Sequence, residues 1–248
     1  MPVRTLAELT PPMTARSVAL SLLLGMRPAR MSAREITRTG ELFGVAPSTM
    51  RAALSRMVAA GDLVTKDSMY LLGARHLERQ ALQEALVNPR RVPFDGRWDQ
   101  VVVVVSGRDA GARGVLRTTL ADHRYAELRE GVWMRPANLT GHDLPRLDEV
   151  HRFAAVPEDP GALVAQLWDL DAWSVEAGLI LGALRVPEQS QERFMAAAAA
   201  VRHLRTDPAL PDELLPENWP ADELRWAYDD YRAQFAELAM REEVRGKP

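Results

Sequence analysis

An α+β fold is what this sequence predicts, and three observations carry the prediction. Residues 14–60 set apolar side chains at helical spacing in three consecutive segments; beyond Pro93 the pattern changes to short runs rich in valine and aromatic residues; from Pro160 onward it is helical again. At 248 residues the chain has room for two or three compact units. Its 47% hydrophobic and 26% charged residues are those of an ordinary globular protein rather than a disordered one.

Thr14 to Met26 reads as a first buried helix with Thr14 as N-cap, ending before Pro28. The next helix opens on Ser32-Ala33-Arg34-Glu35, a capping box in which hydroxyl and carboxylate each satisfy the other residue's free amide. Gly44 ends it, and Gly44-Val45-Ala46-Pro47 leads tightly into a third helix, Pro47 to Ala60, closed by Gly61. Two short strands follow, Leu63–Lys66 and Ser68–Leu72, joined around Asp67 like a small wing. Three helices and a ribbon of this size predict a winged helix-turn-helix over residues 1–90.

A charged helix from Arg75 to about Leu86 leads into the turn-rich linker Asn88–Gly96. Trp98–Ser106 contains five consecutive valines, a strand expected to be buried on both faces or central in a sheet. A helix at Asp109–Ala121, a strand near Tyr125–Leu128, and strands at Gly131–Arg135 and Arg152–Val156 complete an order that suits a ferredoxin-like α/β domain over residues 91–158. Helical stripes at Gly161–Trp173, Ser174–Leu184, Ser190–Arg205 and Pro220–Val244 predict a helical C-terminal domain over residues 159–248.

Several classes of function lose support at this level. With no cysteine there is no disulfide framework, thiolate metal site or cysteine nucleophile. The longest apolar run, Val18–Leu24, is too short to cross a bilayer. Glu8 and Pro11-Pro12 stand where a secretory signal would be basic and then apolar, so the cytoplasm is the expected location. His76, His123, His142, His151 and His203 are scattered without ligand spacing, and no metal or cofactor is expected. Gly107-Arg108-Asp109-Ala110-Gly111-Ala112-Arg113-Gly114 lacks the spacing of a nucleotide loop and reads as a strand-to-helix turn.

What remains is a charge asymmetry and one helix face. Residues 1–97 hold 14 basic and 8 acidic side chains, a balance of +6; the remainder holds 17 and 26, a balance of −9. In the third helix Met50, Ala53, Leu54, Met57 and Val58 form one apolar stripe. Its other face shows Ser48, Thr49, Arg51, Ala52, Ser55 and Arg56, with no acid in the helix, which is what reading base edges in a major groove requires. A solvated amphipathic helix is the plain alternative. Under the DNA reading, Ser48, Thr49, Arg51, Ser55 and Arg56 contact operator DNA, Lys66 adds a contact from the wing, and Arg38 and Arg16 are weaker candidates for phosphates. Specificity then calls for two half-sites and a homodimer.

Five of the six tryptophans lie beyond Trp98. Aromatic walls beside cations suit an apolar acid or thioester, so Trp133, Arg135, Trp168, His203 and Arg205 are candidate effector contacts; core packing is the alternative for each. A metal-dependent nuclease is the competing class. It needs an acid at the end of the first central strand, and the nearest one is Asp109, beyond Val105-Ser106 and the turn.

Three stretches together resemble the PaaX-like family of bacterial repressors, which takes its name from control of phenylacetic acid catabolism. They are Met50–Val58 with Gly61–Val64, Gly131-Val132-Trp133-Met134-Arg135-Pro136, and Asp207–Pro216 with Trp219-Pro220. The resemblance implies a winged helix-turn-helix, a ferredoxin-like centre similar to that of a CRISPR-associated nuclease, and a helical C-terminal domain. It also implies dimeric, non-enzymatic repression, relieved in the namesake by phenylacetyl-coenzyme A; an acyl- or aryl-coenzyme A thioester is therefore the expected effector class, with constitutive DNA binding as the alternative. Ala177-Gly178 stand where the family carries an aromatic after Trp168-Asp169-Leu170.

Overall fold

The computed structural model describes residues 4–9, 14–26, 28–105, 107, 109–141, 144–186 and 191–245. Pro11-Pro12, Ser106, Arg108, His142 and Ser190, singled out above, lie outside the described residues. Contacts divide the chain into two units that interleave along the sequence. The first takes Arg4–Glu84, Gly178–Val201 and the residues from Asp222 on; the second takes Ala85–Ala177 and Arg202–Ala221. The three consecutive stretches read from the sequence, 1–90, 91–158 and 159–248, are thus not how the contacts group, because the C-terminal helices contribute residues to both units.

The first unit opens with the short helix α1 (Leu6–Leu9) and the buried helix α2 (Ala15–Gly25). Thr14 caps α2: its hydroxyl accepts the Ser17 N–H at 3.1 Å, and Ser17 Oγ accepts the Thr14 N–H at 2.7 Å. Strand β1 (Arg30–Ser32) follows, then α3 (Ala33–Glu41), where Ser32 and Glu35 form the foreseen capping box. The next helix, α4 (Pro47–Ala59), is fixed by its apolar stripe, with Met50, Ala53, Leu54 and Met57 buried. Each large side chain so buried stabilises by about 1.5–3 kcal/mol, well above the few tenths that separate most residues in helix propensity. Gly44 and Gly61, with φ of 70° and 71°, take the left-handed conformation that ends a helix.

Strands β2 (Leu63–Lys66) and β3 (Met69–Leu72) form a hairpin in which Lys66 pairs with Met69. Asp67 and Ser68 alone turn the corner, with φ of 51° and 61°; positive φ at both central positions matches the twist of an antiparallel ribbon. Strand β1 adds to its side, giving a sheet of order β1-β3-β2. A three-residue strand is too short to show alternation, so β1 has no signature in the sequence. The helix α5 (Ala74–Val87) follows.

In the second unit β4 (Arg90–Arg91) and β8 (Leu139–Thr140) pair as a two-residue ribbon, also without a sequence signal. The main sheet comprises β5 (Trp98–Val103), β6 (Ala126–Arg129), β7 (Val132–Pro136) and β9 (Val150–Ala155), ordered β6-β7-β5-β9 and antiparallel throughout, with α6 (Ala110–Asp122) crossing between β5 and β6. Strand β7 is buried along its whole length. Trp133 packs with Val101, Leu116, Leu120, Tyr125 and Leu144 on one face, and Met134 with Trp98, Val164 and Leu210 on the other.

The valine run departs from expectation. Strand β5 ends at Val103, and Val104 and Val105 stand 48% and 47% exposed, so only the first part of the run is core. The helix boundary expected at Trp173 also moves. Helix α7 (Pro160–Leu167) stops at Trp168, and α8 (Leu170–Leu184) begins where the Asp169 carboxylate accepts the Ala172 N–H at 3.1 Å. Trp173 therefore lies in the first turn of α8. The chain continues through α9 (Gln191–Leu204) and a short 3-10 helix (Asp212–Leu214) to α10 (Ala221–Arg245).

Candidate nucleic-acid interface

Helices α3 and α4 meet where Gly40 lies against Met50; a β-carbon at Gly40 would come within 2.6 Å of Met50 Cε. With its apolar stripe turned inward, α4 presents the rest of its surface to solvent. Successive residues turn about 100° around a helix axis, so Ser48, Ala52, Ser55 and Ala59 share the centre of the outer face, with Arg51 on one flank and Thr49 and Arg56 on the other. All seven are exposed. A row of small side chains between two arginines lets a partner approach the backbone closely while cations reach past it.

Lys66 is exposed beside the hairpin turn, and Arg38 is exposed on α3. On the flank of α4 that carries Arg51, a surface concavity of about 400 Å3 is lined by Ala33, Arg34, Thr37, Arg38, Glu41, Pro47 and Arg51. Arg34 was not among the residues singled out in the sequence, although its i,i+4 spacing from Arg38 puts both on one face of α3.

Arg16 belongs elsewhere. Its Nε and Nη2 donate to Asp62 Oδ2 at 3.0 and 2.8 Å, and Arg75 and His76 bind the other carboxylate oxygen of Asp62, the His76 Nε2 contact being 3.0 Å. Asp62 is buried. The His76 hydrogen bond, with those of Arg16 and Arg75, holds its carboxyl down at about 2, against the burial that alone would raise it. This cluster joins α2, the start of β2 and α5, and gives Arg16 a structural acceptor in place of a phosphate.

The five effector candidates lie in the second unit, where the sheet puts Trp168 on the face opposite Trp133. Trp133 and Arg135 project from one face of β7: Trp133 is in the core beside Leu116 and Leu120, and buried Arg135 donates to Asp99 at 3.0 and 3.1 Å and lies 4.8 Å from the Tyr125 ring centre. Trp168 packs with Trp98 in the opposite cluster, ring centres 6.3 Å apart. His203 stacks on Trp173 at 4.2 Å, bonds the Trp173 carbonyl and faces Glu176 at 3.6 Å, while Arg205 donates to Asp122 at 2.9 Å. Each thus has a partner within the protein, and they do not converge on one point.

Asp109, the acid that a nuclease would need, caps α6 by accepting the Ala112 N–H at 2.8 Å. Among the described residues no group of three His, Asp or Glu side chains is arranged to hold a metal, and no helix is long and apolar enough to cross a membrane.

These elements define a mixed α+β protein whose first unit exposes a basic, acid-free helix face beside an arginine-lined concavity. The chain belongs to the PaaX-like protein family: residues 14–75 match the model of the PaaX-like protein, and residues 173–242 that of the PaaX-like protein C-terminal domain. Among solved structures, an uncharacterized protein of Mycobacterium tuberculosis, Rv0674, is similar at 44% identity with a TM-score of 0.83, over 93% of this chain and 99% of that one. A comparison with curated proteins gave no match.

Proposed function

We propose that this chain is a transcriptional regulator that binds operator DNA as a homodimer and acts by binding rather than catalysis. The observation that carries the reading is the outer face of α4, where Ser48, Ala52 and Ser55 stand exposed between Arg51 and Arg56 with no carboxylate in the helix. The surrounding elements support it. Helices α2, α3 and α4 with the β2-β3 hairpin have the order of a winged helix-turn-helix, in which α4 enters the major groove and the hairpin tip brings Lys66 to the backbone. The four-stranded sheet, with its single crossover helix, has the strand order of a ferredoxin-like unit.

Strand β9 supports the dimer. It is an edge of the main sheet, and the Val104 N–H donates to the Glu149 carbonyl at 3.0 Å, which fixes the alternation along the strand. Val150, Arg152 and Ala154 then direct their backbone groups away from β5, beside a Phe153 that is half exposed. Such an edge is a template for a second copy of the strand. The effector expected from the family likeness, an aryl- or acyl-coenzyme A thioester, would act by favouring one arrangement of the dimer over another.

A mobility-shift assay with full-length protein and the DNA flanking its own gene tests the central claim. Retention of one duplex over a scrambled competitor is the expected result, and equal affinity for both would overturn specific regulation. Thermal shift with phenylacetyl-coenzyme A, against coenzyme A alone, tests the effector separately.

A further inference from the structure

The concavity beside α4 assigns the arginines of this unit to two different roles. It is formed by one face of α3 along its whole length, from Ala33 to Glu41, and by Pro47 and Arg51 of α4, and its rim carries Arg34, Arg38 and Arg51 against the single carboxylate of Glu41. Thr37 adds a hydroxyl. Among the described residues Arg34, Arg51 and Arg56 have no protein acceptor, in contrast to Arg16, which is held by Asp62. Three cations and a hydroxyl around an open hollow, with apolar lining from Ala33 and Pro47, fit a phosphodiester, whose charge is spread over two free oxygens that guanidinium groups bind side by side.

The geometry of α4 then separates Arg51 from the groove floor. Pro47 and Arg51 lie one turn apart on the flank that turns toward α3, whereas Ser48, Ala52 and Ser55 hold the centre of the outer face. A side chain that shares a hollow with Arg34 and Arg38 is directed at the wall of a DNA groove, where the backbone runs, and not at the base edges. We propose that the hollow between α3 and α4 seats phosphates of one DNA strand, held by Arg34, Arg38 and Arg51, and that base identity is read by the small residues Ser48, Ala52 and Ser55. This rests on the DNA-binding reading above and removes Arg51 from its set of base readers. The chemistry of the small residues suits base reading, since hydroxyls bond either base-edge donors or acceptors and an alanine methyl contacts the methyl of thymine.

The test uses full-length protein and a random-sequence duplex library. Sequences are enriched with the unaltered protein, with Arg34→Gln, with Arg51→Gln and with Ser55→Ala. Affinity for one enriched and one scrambled duplex is then measured over a range of salt concentrations, after circular dichroism has established that each variant melts as the unaltered protein does. Arg146→Gln, at a fully solvated site in the second unit, is the control. Arg34→Gln and Arg51→Gln are expected to weaken both duplexes by the same factor, to lower the slope of log affinity against log salt by roughly 0.9 each, and to enrich the same sequence as before. Ser55→Ala is expected to leave the slope alone and relax the enriched sequence at particular positions. If Arg51→Gln changes which bases are enriched, Arg51 reads a base and the proposal falls while DNA reading stands. Unchanged affinity and slope for Arg34→Gln and Arg51→Gln would mean that the hollow holds no phosphate. If the unaltered protein retains no duplex, the DNA-binding reading itself fails and takes the hollow with it.

Discussion

At the scale of single residues, two buried charges organise their surroundings. The Asp62 carboxyl sits at about 2, below its ordinary 3.8, first through the His76 hydrogen bond and then through Arg16 and Arg75. A depressed carboxyl contributes stability that is complete above about pH 4 and is lost as pH falls through about 2. Asp62→Asn is therefore expected to cost on the order of 1.5–3 kcal/mol at neutral pH, the usual worth of hydrogen bonds to a charged group, and the gap from the unaltered protein should close between about pH 4 and 2 in urea unfolding. A gap independent of pH would mean that the carboxyl's charge is not what matters. Arg124 is the second such residue. Its guanidinium donates to the carbonyls of Leu86, Leu204, Arg205 and Asp207, closing the carbonyl ends of two helices, and its backbone takes a φ of 67° to do so. Arg124→Lys keeps the charge but loses the planar fork, and is expected to lower stability by roughly 2–4 kcal/mol, read as a fall in the urea midpoint. Nothing near Asp62 or Arg124 in sequence marks either residue, since these partners all lie 13 or more positions away.

Among the elements, two close approaches differ in what they would tolerate. At Gly40 an added β-carbon meets the terminal methyl of Met50, a flexible side chain that can turn aside. At Gly73 it meets the Gly61 carbonyl oxygen at 2.2 Å and the Asp62 carbonyl at 3.1 Å, which are backbone atoms, and the Gly73 N–H itself bonds the Asp62 carbonyl at 2.8 Å. Gly40→Ala is expected to cost about 1 kcal/mol, and Gly73→Ala about 3 kcal/mol through displacement of the chain between α4 and β2. Equal melting temperatures for the two would contradict the packing described. The Thr14 N-cap, the Ser32 capping box and the Gly44 and Gly61 helix ends were legible because each is a local pattern, complete within four or five residues. The end of β5 was not, because whether Val104 and Val105 are covered depends on what other segments pass over them.

For the whole molecule, the edge position of β9 gives the proposed dimer a definite test. The Ala154 N–H points away from β5, so proline there removes no bond within the sheet but blocks pairing with a second strand. Ala154→Pro is expected to leave the melting temperature of the monomer nearly unchanged while converting dimer to monomer in light scattering coupled to gel filtration; a persisting dimer would place the interface elsewhere. By itself the sequence determined the α+β class, the helices α2, α3 and α4, the hairpin and the acid-free face of α4, all of which follow from periodicity, caps and turn residues acting over a few positions. The family likeness was legible there as well, and the family models bear it out. The tertiary structure decided which charges are spoken for. Arg16, Arg135 and Arg205 are occupied by Asp62, Asp99 and Asp122, whereas Arg34 and Arg51, which line one hollow, have no acceptor among the described residues. The reason is physical: a side chain's availability depends on acceptors brought to it from distant parts of the chain, and an ion pair across 46 or 83 residues leaves no mark on the pattern around either partner.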